Sequence, residues 1–241
     1  ILGMFAVVLV AYTAEPVIFN AFVTKPTSQG RPPFTLWAIL RNIVFYIPPV
    51  LGSAFILLLS FVAMLVPAKK SSRQAAIGWM LHRACRILVG YAAFIHPKRI
   101  GPDGELIRSW NGEAGVIVAN HQSSLDIIMI LATFPKVKFM VADWVLTSPL
   151  FGVISRFLGY YSRSEGYEKS LERLRVDVAE GWCLAVFPEG TRSLNGKIKR
   201  FHKGAFYLAS QVGVPVIPVV FYGNWRIAPK NQGFNMTEGI A

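Results

Sequence analysis

The residues best suited to chemistry in this sequence are a histidine and an aspartate five positions apart. His121 and Asp126 lie in the stretch NHQSSLD, directly after the apolar run AGVIVA. A carboxylate beside an imidazole fixes the ring's tautomer and stabilises the cation that forms when the ring takes a proton. His121 would then be a general base acting on a substrate hydroxyl. Alternatively, the histidine only bonds within a loop and the aspartate stabilises a helix N-terminus.

A second polar group follows another apolar run, CLAV, in the stretch FPEGTRS. Glu189, Gly190, Thr191 and Arg192 are expected to form a turn with exposed backbone donors and a guanidinium. Such a turn suits a phosphate, with two-point recognition by the arginine and close approach at the glycine. The alternative is a turn closed by an ion pair between Glu189 and Arg192.

Two further cations are candidate anion ligands. Arg163 follows a short aromatic stretch, GYYS, and is a candidate second phosphate ligand, although a single arginine after a strand is more often structural. Lys203 precedes Gly204 and an apolar helix, a position from which it can reach an anion at a helix start. The neighbouring lysines and arginine of GKIKRFHKGAF are interpreted as a solvated or membrane-facing rim.

Elements that could position these residues alternate along the chain between short β-rich runs and helical stretches. The predicted strands are GVIVA, KFMVA, CLAVF and VPVIPVV, and the predicted helices include SLDIIMILATF and YEKSLERLRVDVAEG. This alternation indicates a layered α/β domain. His121 would lie at the carboxyl end of a strand, and Asp126 in the first turn of a helix capped by Ser123 or Ser124. The two prolines place VPVIPVV at a sheet edge or a strand entrance.

Four blocks, in order, resemble the motifs of the lysophospholipid acyltransferase family, also called the glycerolipid acyltransferase family. NHQSSLD resembles its H-x-x-x-x-D block, GYYSR the second, FPEGTRS the third and VPVIPVV the fourth, over roughly residues 98–224. The resemblance implies an α/β fold with a mixed sheet flanked by helices. It also implies transfer of a fatty acyl group from acyl-CoA or acyl-carrier protein to a lysolipid hydroxyl, with no metal or bound cofactor.

Carried over by position, the resemblance makes His121 and Asp126 the catalytic pair. The turn at Glu189, Gly190 and Arg192 would bind the glycerol phosphate of the acceptor, with the second-block arginine assisting. The acceptor it favours is 1-acylglycerol 3-phosphate, which would give phosphatidic acid.

The sequence departs from the family pattern in two places. Ser162 stands where the second block often has an acid, and VADWVLTSP lacks the lysine often found upstream of its proline. Another lysolipid acceptor, such as an amino-acid lipid or a lysophosphatidylcholine-like lipid, therefore stays open. From a different class, the chain could be a non-catalytic lipid-binding module of a transporter.

Composition indicates a chain that meets lipid. Apolar residues make up 53% and charged residues 16% of the 241 residues, with a formal net charge of +12. Every acidic residue except Glu15 lies at or beyond Asp103, so the first hundred residues are both apolar and basic, as expected at an anionic membrane surface. No zinc-finger, helix-turn-helix or RNP-like pattern is present to indicate nucleic acid.

The N-terminal part is expected to be membrane-associated. We predict the end of a transmembrane helix over residues 1–24, a basic linker over 25–42, and a helical hairpin with a connecting helix over 43–97. Residues 98–241 would be the catalytic domain, incomplete at its C-terminus. The opening segment also resembles the closing transmembrane helix of an RND or MMPL-type exporter, a family in which exporters can be fused to acyltransferase domains.

An uncharged stretch of 27 residues, 42–68, begins at the last linker residue, is long enough to span a bilayer, and is interrupted by Pro48 and Pro49. A re-entrant or in-plane hairpin therefore rivals a simple span. Because lysines and arginines flank both ends of the stretch, both ends are predicted to face the cytoplasm, with the catalytic domain on that side.

The two cysteines, Cys85 and Cys183, are far apart and neither belongs to a Cys/His cluster. They are interpreted as buried or half-buried thiols in a reducing compartment. No metal site is predicted.

Overall fold

The structure of the chain is a computed structural model that describes residues 51–52, 54–56, 58–91, 109–149, 151–222 and 224. The expected transmembrane helix end, the exporter-like segment and the basic linker lie outside these residues. So do the first eight residues of the expected hairpin and the last residues of the chain.

A parallel β-sheet forms the centre of the domain. Within the described residues its strands are β1 (Val116–Ala119), β2 (Val137–Val141), β3 (Tyr161–Ser162), β4 (Cys183–Val186) and β5 (Val216–Val219). The strand order is β3-β2-β4-β1-β5, and all four pairings are parallel. The expectation of a mixed sheet is corrected in this respect. Strands β1 and β4 are buried along their whole length, as expected for apolar runs covered on both faces.

Helices link the strands and cover both faces of the sheet. They are α1 (Lys70–Tyr91), α2 (Leu125–Thr133), α3 (Asp143–Thr147), α4 (Phe151–Leu158), α5 (Tyr167–Ala179) and α6 (Gly204–Val212). Because a helix lies between each consecutive pair of strands, the chain returns to the same edge before every strand, and this makes the sheet parallel. The predicted strands and the two predicted helices are confirmed, and β5 with its proline lies at the sheet edge as expected.

Two apolar cores lie on opposite faces of the sheet. On one face, α1, α2 and α4 pack against side chains such as Ile117 and Phe139. On the other face, α5 and α6 pack against side chains such as Val118 and Leu184. Trp182 closes the first core against Gly78 of α1, where an added Cβ would lie 2.9 Å from the indole ring. The layered α/β architecture predicted from the sequence is therefore present.

Residues that precede α1 are helical at positions 51–52, 54–56 and 58–65. Most of their large apolar side chains are exposed; Leu65 is 84% exposed, for example. Ser60 is buried and its hydroxyl donates to the carbonyl of Ile56 at 2.8 Å. Among the described residues, no helix combines the length and the apolar character needed to cross a bilayer.

Candidate active site

His121 and Asp126 meet at the carboxyl end of β1. Nδ1 of His121 lies 3.0 Å from Oδ2 of Asp126. The aspartate side chain is fully buried, whereas the histidine side chain keeps 14% of its surface exposed. Because an ionised carboxylate can only accept, Nδ1 carries the ring proton and the neutral ring presents an unprotonated Nε2 on its opposite side. The arrangement suits a general base with a fixed tautomer.

The carboxylate of Asp126 is held by several donors besides the imidazole. Its Oδ2 accepts the backbone N–H groups of Gln122 at 2.7 Å and Ser123 at 2.8 Å. Its Oδ1 accepts the side-chain amide of Asn224 at 2.8 Å. Both oxygens are therefore fixed in place, and the carboxylate can hold the imidazole in one orientation.

Capping of α2 differs from the sequence expectation in its detail. Ser124 occupies the N-cap position but makes no side-chain bond to the helix backbone. Instead, the hydroxyl of Ser123 accepts the N–H of Leu125 at 3.1 Å, and Asp126 in the first turn binds the backbone before the helix. The Ser124 hydroxyl is thereby left to bind a side chain from another loop.

Two asparagines that were not among the predicted site residues hydrogen-bond next to the candidate site. Asn120, at the end of β1, donates its amide to the Phe221 carbonyl at 2.9 Å and accepts the Phe221 N–H at 2.7 Å. Asn224 is buried with 1% of its surface exposed and reaches Asp126. Each asparagine follows a predicted strand, and polar residues at the ends of two neighbouring parallel strands are the signal that would have found them.

The main chain of His121 is hydrogen-bonded to the loop that follows β4. Its N–H donates to Oε1 of Glu189 at 2.7 Å, and its carbonyl accepts the N–H of Ser193 at 2.8 Å. The imidazole stacks on the ring of Phe187, with 4.0 Å between centroids and 18° between planes. Because β1 and β4 are adjacent strands, the first and third sequence blocks form one unit.

Glu189 faces the protein interior. Its side chain is buried, and its second oxygen, Oε2, accepts the N–H of Lys199 at 2.8 Å. Both carboxylate oxygens therefore bind backbone donors. Among the described residues, no salt bridge joins Glu189 to Arg192, so the alternative of a turn closed by that pair is not observed. This geometry favours a positioning role for Glu189 over direct contact with a substrate.

Arg192 lies beside the histidine and aspartate. Its Nη1 donates to the hydroxyl of Ser124 at 2.7 Å, at the N-terminal end of α2. Burial lowers the pKa of the half-buried guanidinium, and the nearby charge of Asp126 opposes that shift. An arginine remains protonated at physiological pH despite such a shift, so a positive charge lies at the edge of the candidate site.

Arg163 reaches the same turn from the other side. The arginine follows β3, and its Nη1 donates to the carbonyl of Gly190 at 3.2 Å. Gly190 has a φ of 73°, and a Cβ at this position would lie 3.5 Å from Nη2 of Arg163. The left-handed backbone therefore favours glycine here, whereas a Cβ would make only ordinary van der Waals contact with the guanidinium.

A hollow of about 320 Å³ opens beside the glycine turn. Its lining includes Arg163, Gly190, Phe187 and Tyr167. Thr191 is exposed next to the turn, and Lys203 is exposed at the N-cap of α6, beside Gly204, which also lines the hollow. Arg163 of the second block and Gly190 of the third block thus line one hollow at the carboxyl edge of the sheet, whereas Arg192, Thr191 and Lys203 lie outside its lining.

Asp143 contacts Ser162, the position at which the second block often has an acidic residue. The carboxylate of Asp143, the first residue of α3, accepts the hydroxyls of Ser162 and Ser164, the latter at 2.8 Å. These hydrogen bonds, that of Ser162 foremost, lower the pKa of Asp143. Ser162 therefore holds the Asp143 carboxylate, which belongs to α3, next to Arg163.

Comparisons with known proteins show the family to which the chain belongs. A family profile described as Acyltransferase matches residues 103–222, which include the four blocks. The chain belongs to the acyltransferase family. Within the described residues of this acyltransferase-family chain, no group of three or more histidines, cysteines, aspartates or glutamates could hold a metal ion.

Curated relatives of the acyltransferase-family chain come from several kingdoms. It is 36% identical over 129 residues to the chloroplastic 1-acyl-sn-glycerol-3-phosphate acyltransferase BAT2 of Brassica napus, covering 52% of this chain and 36% of that protein. It is 29% identical over 193 residues to the human 1-acyl-sn-glycerol-3-phosphate acyltransferase beta, covering 75% of this chain and 66% of that protein. The chain spans little more than a third of the length of the first of these relatives.

A solved structure supports the fold of the family. The 1-acyl-sn-glycerophosphate acyltransferase PlsC of Thermotoga maritima superposes with a TM-score of 0.60 at 24% sequence identity. The match covers 81% of this chain and 79% of that one. The layered arrangement of helices on a sheet is therefore shared.

Proposed function

We propose that this domain transfers a fatty acyl group from a thioester donor, acyl-CoA or acyl-carrier protein, to the free hydroxyl of a lysophospholipid. The proposed acceptor is 1-acylglycerol 3-phosphate, and the product is phosphatidic acid. The observation that carries the proposal is the 3.0 Å contact between Nδ1 of His121 and Oδ2 of Asp126, with the Arg192 guanidinium bound to Ser124 beside them. The names of the curated relatives support this choice of acceptor.

His121 is the proposed general base. Its Nε2 accepts the proton of the acceptor hydroxyl while the oxygen attacks the thioester carbonyl carbon. The tetrahedral adduct collapses when the carbon–sulfur bond breaks, and the thiolate leaves with the electron pair. A thiol has a pKa of about 8.5, so the leaving group needs little acid assistance. The histidine returns its proton to the thiolate, and Asp126 stabilises the imidazolium in the interval.

Arg163 and Arg192 are proposed to bind the negatively charged phosphate of the acceptor. Arg192 lies close to the proposed general base, and Arg163 lines the hollow. Both guanidiniums suit two-point binding of a phosphate. Thr191 and Lys203 are proposed to contact the same headgroup from the rim. Glu189, with both oxygens bound to backbone N–H groups, is proposed to hold the loop and the histidine in register.

Replacing His121 with alanine in the full-length protein tests the base assignment. Membranes carrying the variant are supplied with labelled acyl-CoA and 1-acylglycerol 3-phosphate, and label in phosphatidic acid is measured. Loss of a general base lowers turnover by about 10²–10⁴-fold. Protection of the two buried cysteines from alkylation serves as the folding control in the same membranes. Turnover close to wild type in a folded variant would rule out His121 as the base.

A different lysolipid is the second candidate acceptor. The Asp143 carboxylate, which is hydrogen-bonded to Ser162 near the hollow, is an observation in its favour, because an acid close to the hollow can bind a cationic headgroup. A panel of acceptors separates the two. Preference for an acceptor with a phosphate monoester supports the first candidate, and preference for a zwitterionic or amino-acid headgroup supports the second.

The protein is also proposed to be attached to the membrane, with the catalytic domain on the cytoplasmic face. The residues that support this proposal precede the catalytic domain. The exposed apolar residues between 51 and 66 are followed directly by Lys69, Lys70 and Arg73, a pairing that suits an anionic leaflet. Alkaline carbonate extraction of cell membranes tests attachment, and labelling of a cysteine placed at exposed Glu113 by an impermeant reagent in intact cells tests sidedness. Release into the supernatant, or labelling without permeabilisation, would contradict the corresponding proposal.

A further inference from the structure

Residues 193–203, which we call the 193–203 loop, are the second part of the connection between β4 and α6. In this loop a polar side chain is buried and apolar side chains are exposed. Ser193 is fully buried, and its hydroxyl donates to the carbonyl of Lys197 at 2.8 Å. Leu194 and Ile198, by contrast, are 57% and 55% exposed. Apolar side chains point outward here while a polar one is used inside, the opposite of an ordinary solvated loop.

This exposure is built into the loop by its hydrogen bonds. The side-chain amide of Gln122 donates to the carbonyl of Gly196 at 2.9 Å. The N–H of Lys199 donates to the buried carboxylate of Glu189 at 2.8 Å. Anchors on both sides of Lys197 fix the conformation that presents Leu194 and Ile198. The same anchors connect the loop to the segment that carries the proposed base.

Positive charge surrounds the two exposed apolar residues. The exposed cations of the loop are Lys197, Lys199, Arg200 and Lys203. The sequence has no acidic residue between Glu189 and Glu238, so no carboxylate within the loop offsets these charges. Apolar residues set among lysines and arginines, without acids, complement the interface of an anionic bilayer.

Other exposed apolar residues follow two further strands at the same edge of the sheet. Trp144, in the first turn of α3 after β2, is 65% exposed, and Val220 and Tyr222, in the segment that follows β5, are 77% and 83% exposed. Adjacent strands lie about 4.8 Å apart, so the three spacings from β2 to β5 span about 14 Å. The apolar character therefore extends along the edge that holds the candidate active site.

We propose that the 193–203 loop is a membrane-contact element, distinct from the N-terminal apolar segment, whose Leu194 and Ile198 enter the interface of an anionic bilayer. The proposal rests on the proposed function only for its purpose, which is to bring His121 to a lipid acceptor in the membrane. The contact itself requires no turnover. The occupant is the lipid surface, and an acidic carrier protein is the competing occupant that the experiment must separate.

Depth-dependent fluorescence of a label on the loop tests the contact in the full-length protein. Ile198→Cys is labelled with an environment-sensitive dye and reconstituted into phosphatidylcholine vesicles with or without phosphatidylglycerol. The native Cys85 and Cys183 are buried and are not expected to take the label. The control label is placed at Glu180→Cys, an exposed position at the amino end of β4.

The expected result is a dye at position 198 that is quenched by lipids brominated on their acyl chains, more strongly with phosphatidylglycerol present, while the dye at position 180 is not. Equal quenching at the two positions would overturn the proposal. So would a response at position 198 that appears only when an acidic carrier protein is added. Since no substrates are present, either failure is distinct from failure of the proposed acyl transfer.

A double substitution gives an independent measurement. Leu194→Ser with Ile198→Ser removes the apolar side chains and leaves every loop hydrogen bond described above available. The label at a third exposed loop position, Arg200→Cys, is expected to lose about tenfold in bromolipid quenching efficiency when both apolar anchors are gone. Val176→Ser, which changes an equally exposed apolar residue on α5, is expected to leave that quenching unchanged. Unchanged quenching in the double variant would overturn the proposal.

Discussion

The backbone N–H of His121 donates to the carboxylate of Glu189 at 2.7 Å, across 68 positions of sequence. The second oxygen of that carboxylate accepts the N–H of Lys199. One buried side chain therefore joins the proposed base to the loop that carries the basic residues. The glutamate of the third block is placed to position the site, and the arginine three residues later is placed to bind charge.

Substitution of Glu189 by glutamine should lower kcat more than it raises the acceptor KM. Glutamine keeps one acceptor oxygen but turns an amide N–H₂ toward one of the two backbone donors, so a buried hydrogen bond is lost. The free energy of unfolding should fall by about 1–3 kcal/mol. Steady-state kinetics with thermal unfolding measure both effects. A raised acceptor KM with unchanged kcat would instead indicate direct contact between Glu189 and the acceptor.

Asp126→Asn and His121→Ala should be strongly non-additive. If the carboxylate acts only through the imidazole, removing it in a protein that already lacks the imidazole costs little more activity. Alone, Asp126→Asn is expected to lower kcat by about 10²–10⁴-fold, because the amide can stabilise the wrong tautomer. A double variant that loses the product of the two single effects would show that the residues act independently.

Local sequence patterns were sufficient for the parts of the site that lie at strand ends. The apolar run before His121 and the five-residue spacing to Asp126 placed both side chains correctly, since a strand followed by a helix brings these positions together. The stretch FPEGTRS likewise predicted a turn, and the structure shows that this turn is left-handed at Gly190, beside Arg163.

What sequence patterns missed depends on contacts between distant segments. Asn224 reaches Asp126 across 98 positions, and the inward orientation of Glu189 depends on where β1 lies relative to β4. Strand direction was also beyond local patterns, because a short apolar run reads the same in a mixed or a parallel sheet. The parallel arrangement follows only when each intervening helix is seen to return the chain to the same edge.

Arg192→Ala should raise the acceptor KM far more than the donor KM. The substitution removes the guanidinium beside His121, so a phosphate on the acceptor would lose a charge-assisted pair of hydrogen bonds. Ser124→Ala is the matched variant, because it removes only the hydroxyl that holds Nη1 and should give a smaller rise. Acceptor and donor titrations for both variants measure the effect. An equal rise for the two substrates would contradict phosphate binding by Arg192.

Asn224→Ala should destabilise the fold and impair turnover through Asp126. The substitution removes the amide that donates to Oδ1 and leaves part of a buried carboxylate unsatisfied. A hydrogen bond to a charged group contributes about 1.5–3 kcal/mol, so the free energy of unfolding should fall by that order. Asn111→Ala, at an exposed position away from the site, is the comparison for both denaturation and kinetics. Equal stability of the two variants would show that Asp126 does not need this donor.

The buried thiols should make stability fall as the solution becomes alkaline. Burial raises the pKa of Cys85 from 9.0 to about 12, and it also raises the pKa of Cys183. A group whose pKa is higher in the folded protein stabilises the fold fully below its unfolded pKa and loses that contribution as pH rises through the folded value. The loss for Cys85 should therefore begin near pH 9.0 and continue toward pH 12.

Thermal unfolding of the wild type and Cys85→Ala across this range measures the contribution of Cys85. The difference in unfolding free energy between the two proteins should change by up to about 1.4 kcal/mol per pH unit above pH 9.0 and stay constant below it. Because the thiolate is the reactive form, both cysteines should also resist alkylation in the folded protein at neutral pH and react once it is unfolded. A pH-independent difference, together with rapid alkylation of native Cys85, would contradict its burial against α2 and the sheet.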